Sequence, residues 1–122
     1  MMNYKTRIYG TTKELSVDTM KAAFSDKKAD FIKTALLFGS RALGRQHNKS
    51  DYDFALLMSE DTDAPWGVKS KAYIVLEELL QLDDCDIDIV DLNNMDNVVK
   101  DSIKEGFIIL KGDEDEISRL LG

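Results

Sequence analysis

Short, strongly apolar runs alternate along the chain with stretches in which apolar side chains recur at helical spacing. Two runs, residues 34–38 and 51–58, are typical of buried strands because they are brief and mostly aliphatic. Similar patterns predict a third strand at residues 86–92 and a fourth at 107–110. Residues 5–9 fit a short edge strand.

Helical spacing fills the gaps between these strands. Ser16 is suited to cap a helix that starts at Val17, and Phe31 and Ile32 continue its apolar spacing. The other predicted helices are a short one at residues 40–43, an amphipathic one from Pro65 to about residue 82, and two more at 98–105 and 113–121. Helices that alternate with short strands indicate an α/β sandwich, in which helices pack on a sheet.

Size and composition narrow the class of protein. The 122 residues, 43% of them hydrophobic, fit one domain that spans residues 1–122. No apolar run approaches the roughly 18–20 residues that a membrane span needs, and the polar start lacks a signal-peptide core. The one cysteine, Cys85, cannot form an internal disulfide. We therefore expect a cytoplasmic protein that does not associate with membranes.

Charge is distributed unevenly along the chain. The net charge is −7, but residues 1–50 carry ten basic and four acidic side chains, whereas residues 51–122 carry six and nineteen. The overall acidic surplus argues against direct binding of DNA or RNA, because proteins that bind nucleic acid usually carry a basic surplus. It does not argue against binding a single nucleotide.

Two carboxylates stand at the start of a predicted strand, Asp51 and Asp53, with one residue between them. Strand side chains alternate between faces, so both carboxylates project from the same side, with Cα atoms about 6.6 Å apart. Two convergent carboxylates supply the oxygen ligands that Mg²⁺ requires. Taken alone, this pattern is also that of a solvated strand end.

A candidate phosphate-binding segment precedes these acids. Gly39 and Ser40 lie where the first buried strand turns towards the short helix that Ser40 would cap. Glycine lets backbone approach a ligand closely, and the N–H groups at a helix start attract phosphate. Arg41, Arg45 and Lys49 follow and would neutralise phosphate charge. A Gly-Ser pair is otherwise an ordinary turn, so its meaning depends on the acids that follow.

A third carboxylate is available from the strand predicted at residues 86–92. Asp86 and Asp88 alternate with Ile87 and Ile89, so the strand pattern places both acids on one face. Either could complete a three-acid cluster, in which bound metal offsets the repulsion between like charges. Two metal ions about 3.5–4 Å apart stabilise the attacking and leaving oxygens of an in-line displacement. The third acid could also take the proton from the nucleophile.

The chain resembles the DNA polymerase β-like nucleotidyltransferases, whose GSx10DxD signature it carries as Gly39-Ser40, ten intervening residues and Asp51-Tyr52-Asp53. Its size is similar to that of their smallest members, the minimal nucleotidyltransferases (MNT). Residues 87–92 resemble the family's third-acid strand, in a register that selects Asp88 over Asp86, and residues 103–110 are similar to the closing element. The resemblance implies a mixed sheet of about four strands packed with helices.

The resemblance also implies an activity, the transfer of AMP from ATP with release of pyrophosphate and with Mg²⁺ as cofactor, in the form of two ions. Gly39 and Ser40, helped by the basic residues, would hold the phosphates. Asp51, Asp53 and Asp88 would hold the metal ions and act in catalysis, with Asp88 also facing the acceptor.

Minimal members of the family commonly act as antitoxins, which transfer AMP to a tyrosine near the ribonuclease site of a HEPN-domain toxin and so silence it. A HEPN-domain toxin and ATP are therefore the expected partners. Two alternatives remain open. The protein could neutralise its partner by binding alone, with a vestigial site, or it could adenylylate a small hydroxyl compound such as an aminoglycoside without a protein partner.

Overall fold

The computed structural model describes residues 7–8, 11–46, 50–59 and 66–122. Its first elements are two short strands, β1 (Arg7–Ile8) and β2 (Thr11–Thr12), which pair with each other in antiparallel fashion. β1 falls within the predicted edge strand, whose other residues lie outside the described ranges. The pair forms a separate two-stranded sheet, so β1 is not an edge of the main sheet.

Helix α1 (Val17–Phe24) begins where the sequence predicts, because the Ser16 side chain accepts a hydrogen bond from the backbone three residues on, at 3.1 Å. The predicted continuation of this spacing through Ile32 is wrong. Asp26 caps a 3₁₀ turn (Lys27–Ala29) that follows the helix and redirects the chain. Ile32 therefore opens a strand, although its spacing from α1 is helical.

The main sheet has four strands in the order β5–β4–β3–β6. Its inner strands, β3 (Ile32–Phe38) and β4 (Tyr52–Met58), are antiparallel. On the outside, β6 (Ile108–Lys111) runs antiparallel to β3, and β5 (Ile87–Asp91) runs parallel to β4. The mixed four-stranded sheet is thus confirmed, and the four strands begin and end within two residues of their predicted limits.

Three further helices connect or follow these strands: α2 (Val68–Leu80), α3 (Asn97–Lys104) and α4 (Glu114–Leu121). Side chains of Asp96 and Asp113 accept backbone hydrogen bonds at the starts of α3 and α4. Both helices therefore begin next to an acidic N-cap, within one residue of their predicted start.

The boundaries of α2 differ more from prediction. The helix begins after Gly67, whose φ of 100° marks a turn, and not at Pro65, which lies outside the described ranges. It ends at Leu80 because Gln81 adopts a left-handed conformation with φ of 57°. The predicted end near residue 82 is therefore slightly too late.

Helices cover both faces of the main sheet. One face, which includes Phe54, packs against apolar residues of α1 and α2. The opposite face, which includes Leu36 and Ala55, packs against residues of α3 and α4. Phe54 and Ala55 are neighbours in β4 and belong to opposite faces, as strand alternation requires. The α/β class is confirmed. Within the described ranges, no helix is both long and apolar enough to cross a membrane.

Candidate active site

Strand direction brings three chain segments together at one end of the sheet. β3 ends at Phe38, which pairs with Asp53 near the start of the antiparallel β4. β5 runs parallel to β4, and Asp53 pairs on that side with Asp88. The turn after β3 and the starts of β4 and β5 therefore meet at one end, where the predicted acids lie.

The structure brings Asp51, Asp53 and Asp88 together. Asp53 and Asp88 are register partners on adjacent strands, which lie about 4.8 Å apart in a sheet, so their side chains leave the same face. Asp51 is exposed and precedes β4, and its charge acts on Asp53. Tyr52, between the two aspartates, points to the opposite face and is buried.

Asp53 is the electrostatically strained member of this group. Burial, and then the negative charges of Asp88 and Asp51, raise the pKa of Asp53 to about 6. A bound divalent cation would offset this repulsion, and carboxylate oxygens are the ligands that Mg²⁺ prefers. The residues present therefore fit a magnesium site.

Strand alternation predicts that Asp86 and Asp88 share one face, but in the structure the two acids have different surroundings. Asp86 lies in a 3₁₀ turn (Asp84–Asp86) before β5 and is fully buried, where it accepts a hydrogen bond from Thr12 Oγ1 at 3.5 Å. Asp88 is exposed and lies beside Asp53. The prediction that both acids share a face is wrong, because Asp86 precedes the strand.

A second group of potential ligands lies in the same turn. Asp83, Cys85 and Asp86 each offer a ligand atom, and these atoms lie within 4.8 Å of one another. A thiol is a soft ligand that suits other metals better than Mg²⁺. Chemistry therefore favours the oxygen donors of Asp51, Asp53 and Asp88 for magnesium.

Gly39 lies directly against the acids. Its φ of 76° is in the left-handed region that glycine favours, and a Cβ atom at this position would overlap Asp53 Oδ2. Ser40 follows and is partly exposed. The absence of a side chain at residue 39 thus lets the backbone of the turn approach the carboxylate of Asp53.

The short helix predicted at residues 40–43 is a single hydrogen-bonded turn. The Leu43 N–H donates to the Gly39 carbonyl at 3.2 Å and the Arg45 N–H donates to the Ser40 carbonyl at 2.8 Å. Gly44, with φ of 70°, then ends the turn. One turn has little macrodipole, so any attraction for phosphate comes from individual N–H groups.

The basic residues of this segment do not share one environment. Arg45 is exposed at the end of the turn, and Lys49 lies outside the described residues. Arg41 turns inward: its side chain is 4% exposed, and its guanidinium carbon lies 4.1 Å from the centre of the Tyr52 ring. Nε donates to the Ser50 carbonyl at 2.9 Å.

Two more contacts complete the surroundings of Arg41. Nη1 donates to Glu14 Oε2 at 2.9 Å, while Nη2 is buried without a hydrogen-bond partner among the described residues. The Tyr52 hydroxyl donates to the Lys13 carbonyl at 2.7 Å and accepts from the Leu15 N–H at 2.8 Å. Sequence patterns did not predict this cluster. Its one signal is an aromatic residue on the buried side of the strand that carries the acids.

Comparison with known proteins identifies a family with which this chain shares sequence similarity. The family model described as polymerase beta, nucleotidyltransferase, matches residues 19–115. The chain is 29% identical over 105 residues to the protein adenylyltransferase MntA of Aphanizomenon flos-aquae (strain 2012/KM1/D3), which covers 75% of this chain. The chain spans 65% of the length of that relative.

Solved structures show the same fold. A crystal structure of a toxin–antitoxin complex with AMP-PNP contains a chain that is 26% identical, with a TM-score of 0.63 and coverage of 88% of this chain and 82% of that one. A tri-AMPylated HEPN toxin of Shewanella oneidensis in complex with its MNT antitoxin gives 19% identity and a TM-score of 0.57, over 87% and 81% of the two chains. The second likeness concerns the fold alone.

Proposed function

The chain belongs to the polymerase beta nucleotidyltransferase family, and from that premise we propose that it transfers AMP from ATP to a tyrosine hydroxyl of a HEPN-domain toxin. In this role it is an antitoxin that neutralises the toxin by covalent modification. The observation that carries the proposal is the position of Asp53, which lies between Asp88 on the next strand and the backbone of the Gly39 turn.

The acids and the turn have complementary roles in this reaction. Asp51, Asp53 and Asp88 hold Mg²⁺, which stabilises the charge that develops on the phosphates when it is bound. The backbone N–H groups after Gly39 and the hydroxyl of Ser40 bind the β- and γ-phosphates of ATP. Because Gly39 abuts Asp53, phosphates on the turn lie next to the acids.

Arg45 and Lys49 are the proposed basic contacts to the same phosphates. Arg45 is exposed at the end of the turn, where its side chain can reach a bound ligand. Lys49 has the same proposed role from its place in the sequence, ten residues after Gly39. Their charges would partly neutralise the triphosphate.

In the chemical step, the acceptor oxygen forms a bond to the α-phosphorus of ATP. The bond from this phosphorus to the oxygen that bridges to the β-phosphate breaks, and pyrophosphate leaves. Asp88 accepts the proton of the acceptor hydroxyl, a role that suits its exposed position next to Asp53. We place the reaction in the cytoplasm, with which a chain containing one cysteine is compatible.

Similar proteins support the choice of reaction and partner. The MntA relative is a protein adenylyltransferase, and the complex with AMP-PNP is a toxin–antitoxin pair. The family model matches residues 19–115, a range that includes the Gly39 turn and the strands of all three acids.

Label transfer tests this function. The chain is incubated with Mg²⁺, its proposed HEPN-domain toxin partner, and ATP labelled on either the α- or the γ-phosphate. We expect the α label to appear on the toxin and the γ label to leave with pyrophosphate. Asp51→Asn and Asp88→Asn should abolish labelling, whereas Asp101→Asn, an exposed acid on α3, should label as the wild type does.

Other outcomes would contradict the proposal in distinct ways. Association with the toxin without label on it, together with full protection of cells by Asp51→Asn, would indicate neutralisation by binding alone. Consumption of ATP with a small hydroxyl compound in the absence of toxin would indicate a stand-alone enzyme.

A further inference from the structure

Arg41 stands out among the basic residues after Gly39 because its guanidinium group is buried. Its side chain is 4% exposed and contacts three separate parts of the chain: the Ser50 carbonyl, the Glu14 carboxylate and the Tyr52 ring. An arginine that binds phosphate on a surface turn needs a guanidinium group that faces solvent. We propose, on the basis of the function proposed above, that Arg41 is a positioning residue that holds the metal-binding acids against the phosphate-binding turn.

The bond from Arg41 to Ser50 links the two halves of the signature. Arg41 directly follows Gly39-Ser40, and Ser50 directly precedes Asp51. Nε of Arg41 donates to the Ser50 carbonyl at 2.9 Å, in the interior of the protein. One side chain therefore ties the residue after Gly39-Ser40 to the residue before Asp51.

Tyr52 extends this link to the segment that precedes α1. Its ring lies under the Arg41 guanidinium group at 4.1 Å, an arrangement that favours a cation over the ring face. Its hydroxyl is fixed by the Lys13 carbonyl and the Leu15 N–H, at 2.7 and 2.8 Å. Because Tyr52 lies between Asp51 and Asp53, holding its ring fixes the backbone from which both carboxylates project.

Glu14 completes the charge balance of Arg41. Its carboxylate accepts from Nη1 at 2.9 Å and is 62% exposed, so the pair leads from the protein interior to solvent. The planar guanidinium group makes these contacts in different directions while it stacks on Tyr52, which a lysine ammonium group cannot do. The proposal therefore predicts that Arg41→Lys fails to replace arginine although it keeps the charge.

This role is tested by binding of Mn²⁺, which serves as a probe for the metal site. Electron paramagnetic resonance measures the binding in the absence of nucleotide. Loss of a residue that orients metal ligands typically lowers metal affinity by roughly 10- to 100-fold, and we expect Arg41→Met to fall in this range. Arg41→Lys should lose at least about tenfold, and it serves as the test if Arg41→Met does not fold.

Two matched variants separate positioning from phosphate binding and from general effects of charge. Arg45→Met removes an exposed arginine of the same turn, and Arg119→Met removes an exposed arginine of α4. Both should bind Mn²⁺ as the wild type does. Arg45→Met should weaken AMP-PNP binding at saturating Mg²⁺, and Arg119→Met should not. Melting curves confirm that each variant is folded at the assay temperature.

The outcomes distinguish this proposal from the proposed function. The positioning role would be overturned if folded Arg41 variants bound Mn²⁺ with wild-type affinity. If such variants also bound AMP-PNP weakly, Arg41 would be a phosphate ligand instead. If instead the wild type binds no Mn²⁺, or Asp53→Asn binds it equally well, the metal site itself is absent and the proposed function fails with it.

Discussion

Asp53 is a single residue whose ionised form is destabilised in the folded protein. Its pKa is raised to about 6 by burial and by the charges of Asp88 and Asp51, so at neutral pH its ionised carboxylate is destabilised relative to the same group in the unfolded chain. The native state binds the carboxyl proton more tightly than the unfolded state does. Stability without metal therefore falls as the pH rises from about 4 through the folded pKa of about 6.

Asp53→Asn should consequently stabilise the metal-free protein while it abolishes AMP transfer. At pH 7.5 we expect a gain of roughly 1–2 kcal/mol in the free energy of unfolding, below the full value of the pKa shift because the carboxylate is partly hydrated. The gain should vanish near pH 4, where Asp53 is protonated. Urea unfolding at both pH values measures it, and a variant that is less stable at pH 7.5 would contradict this account.

Metal binding should depend on pH through the same carboxylate. Below about pH 6 a proton competes with metal for Asp53, so the apparent affinity for Mn²⁺ should be nearly constant from pH 7 to 8 and should fall between pH 6 and 5. Calorimetric titration at each pH measures this. An affinity that stays constant down to pH 5 would show that Asp53 is not a ligand.

Gly39 is required for a different reason, since a methyl group there would overlap Asp53 Oδ2. Gly39→Ala should cost about 1–2 kcal/mol for the left-handed backbone alone and should also displace the carboxylate and suppress metal binding. Gly44→Ala is the matched control, with φ of 70° and nothing within 4 Å of its Cβ position. It should lose similar stability but keep Mn²⁺ affinity. Equal loss of affinity in both variants would rule out the overlap as the cause.

At the scale of single residues, the sequence is most informative where side chains of the same type recur at a fixed spacing. Asp51 and Asp53 lie one residue apart, and in the structure the charge of Asp51 acts on Asp53, although Asp51 itself precedes the strand. Asp86 and Asp88 have the same spacing, but Asp86 is buried in a turn. Whether a strand begins one residue earlier or later decides which acid faces outward, and local sequence does not determine that boundary.

At the scale of elements, the predictions were correct where a cap and an apolar face coincide. α1 begins after the predicted cap Ser16, and α4 begins at Glu114, one residue after its predicted start. The error at Ile32 arises because a tertiary contact outweighed local spacing: Ile32 follows the helical spacing of α1 but pairs with Met58 in the sheet. Residues 40–43 form a single turn for a local reason, since Gly44 ends it with a left-handed backbone.

The cap of α3 gives a test at the scale of one element. The Asp96 side chain accepts a hydrogen bond from the Val99 N–H at 2.9 Å. Asp96→Ala should lower the free energy of unfolding by about 1 kcal/mol, because this N–H loses its partner. AMP transfer at a temperature well below the melting point should be unchanged. A large loss of transfer in a folded variant would show that α3 contributes to the site.

At the scale of the whole molecule, sheet topology creates the site. β3 and β4 are antiparallel and β4 and β5 are parallel, so the end of β3 meets the starts of the other two strands. Acids that are 37 residues apart in the sequence, Asp51 and Asp88, thereby reach the same end of the sheet. No local pattern encodes that proximity, which was implied by the resemblance to the nucleotidyltransferase family.

The whole molecule also explains why the net charge of −7 is compatible with binding ATP. Negative charge is concentrated where it would hold Mg²⁺, and the turn that would receive phosphates precedes it in the more basic half of the chain. The net charge therefore indicates which macromolecules the whole surface attracts, whereas the charge at one end of the sheet indicates which ligand binds there.

The central claim is that the Gly39 turn and the three acids form one metal–nucleotide site. Anomalous scattering from crystals grown with Mn²⁺ and AMP-PNP tests it most directly. We predict manganese peaks within ligand distance of Asp51, Asp53 and Asp88, with the β- and γ-phosphates on the turn at Gly39 and Ser40. Manganese bound instead by Asp83, Cys85 and Asp86, or phosphates bound away from the Gly39 turn, would contradict the account.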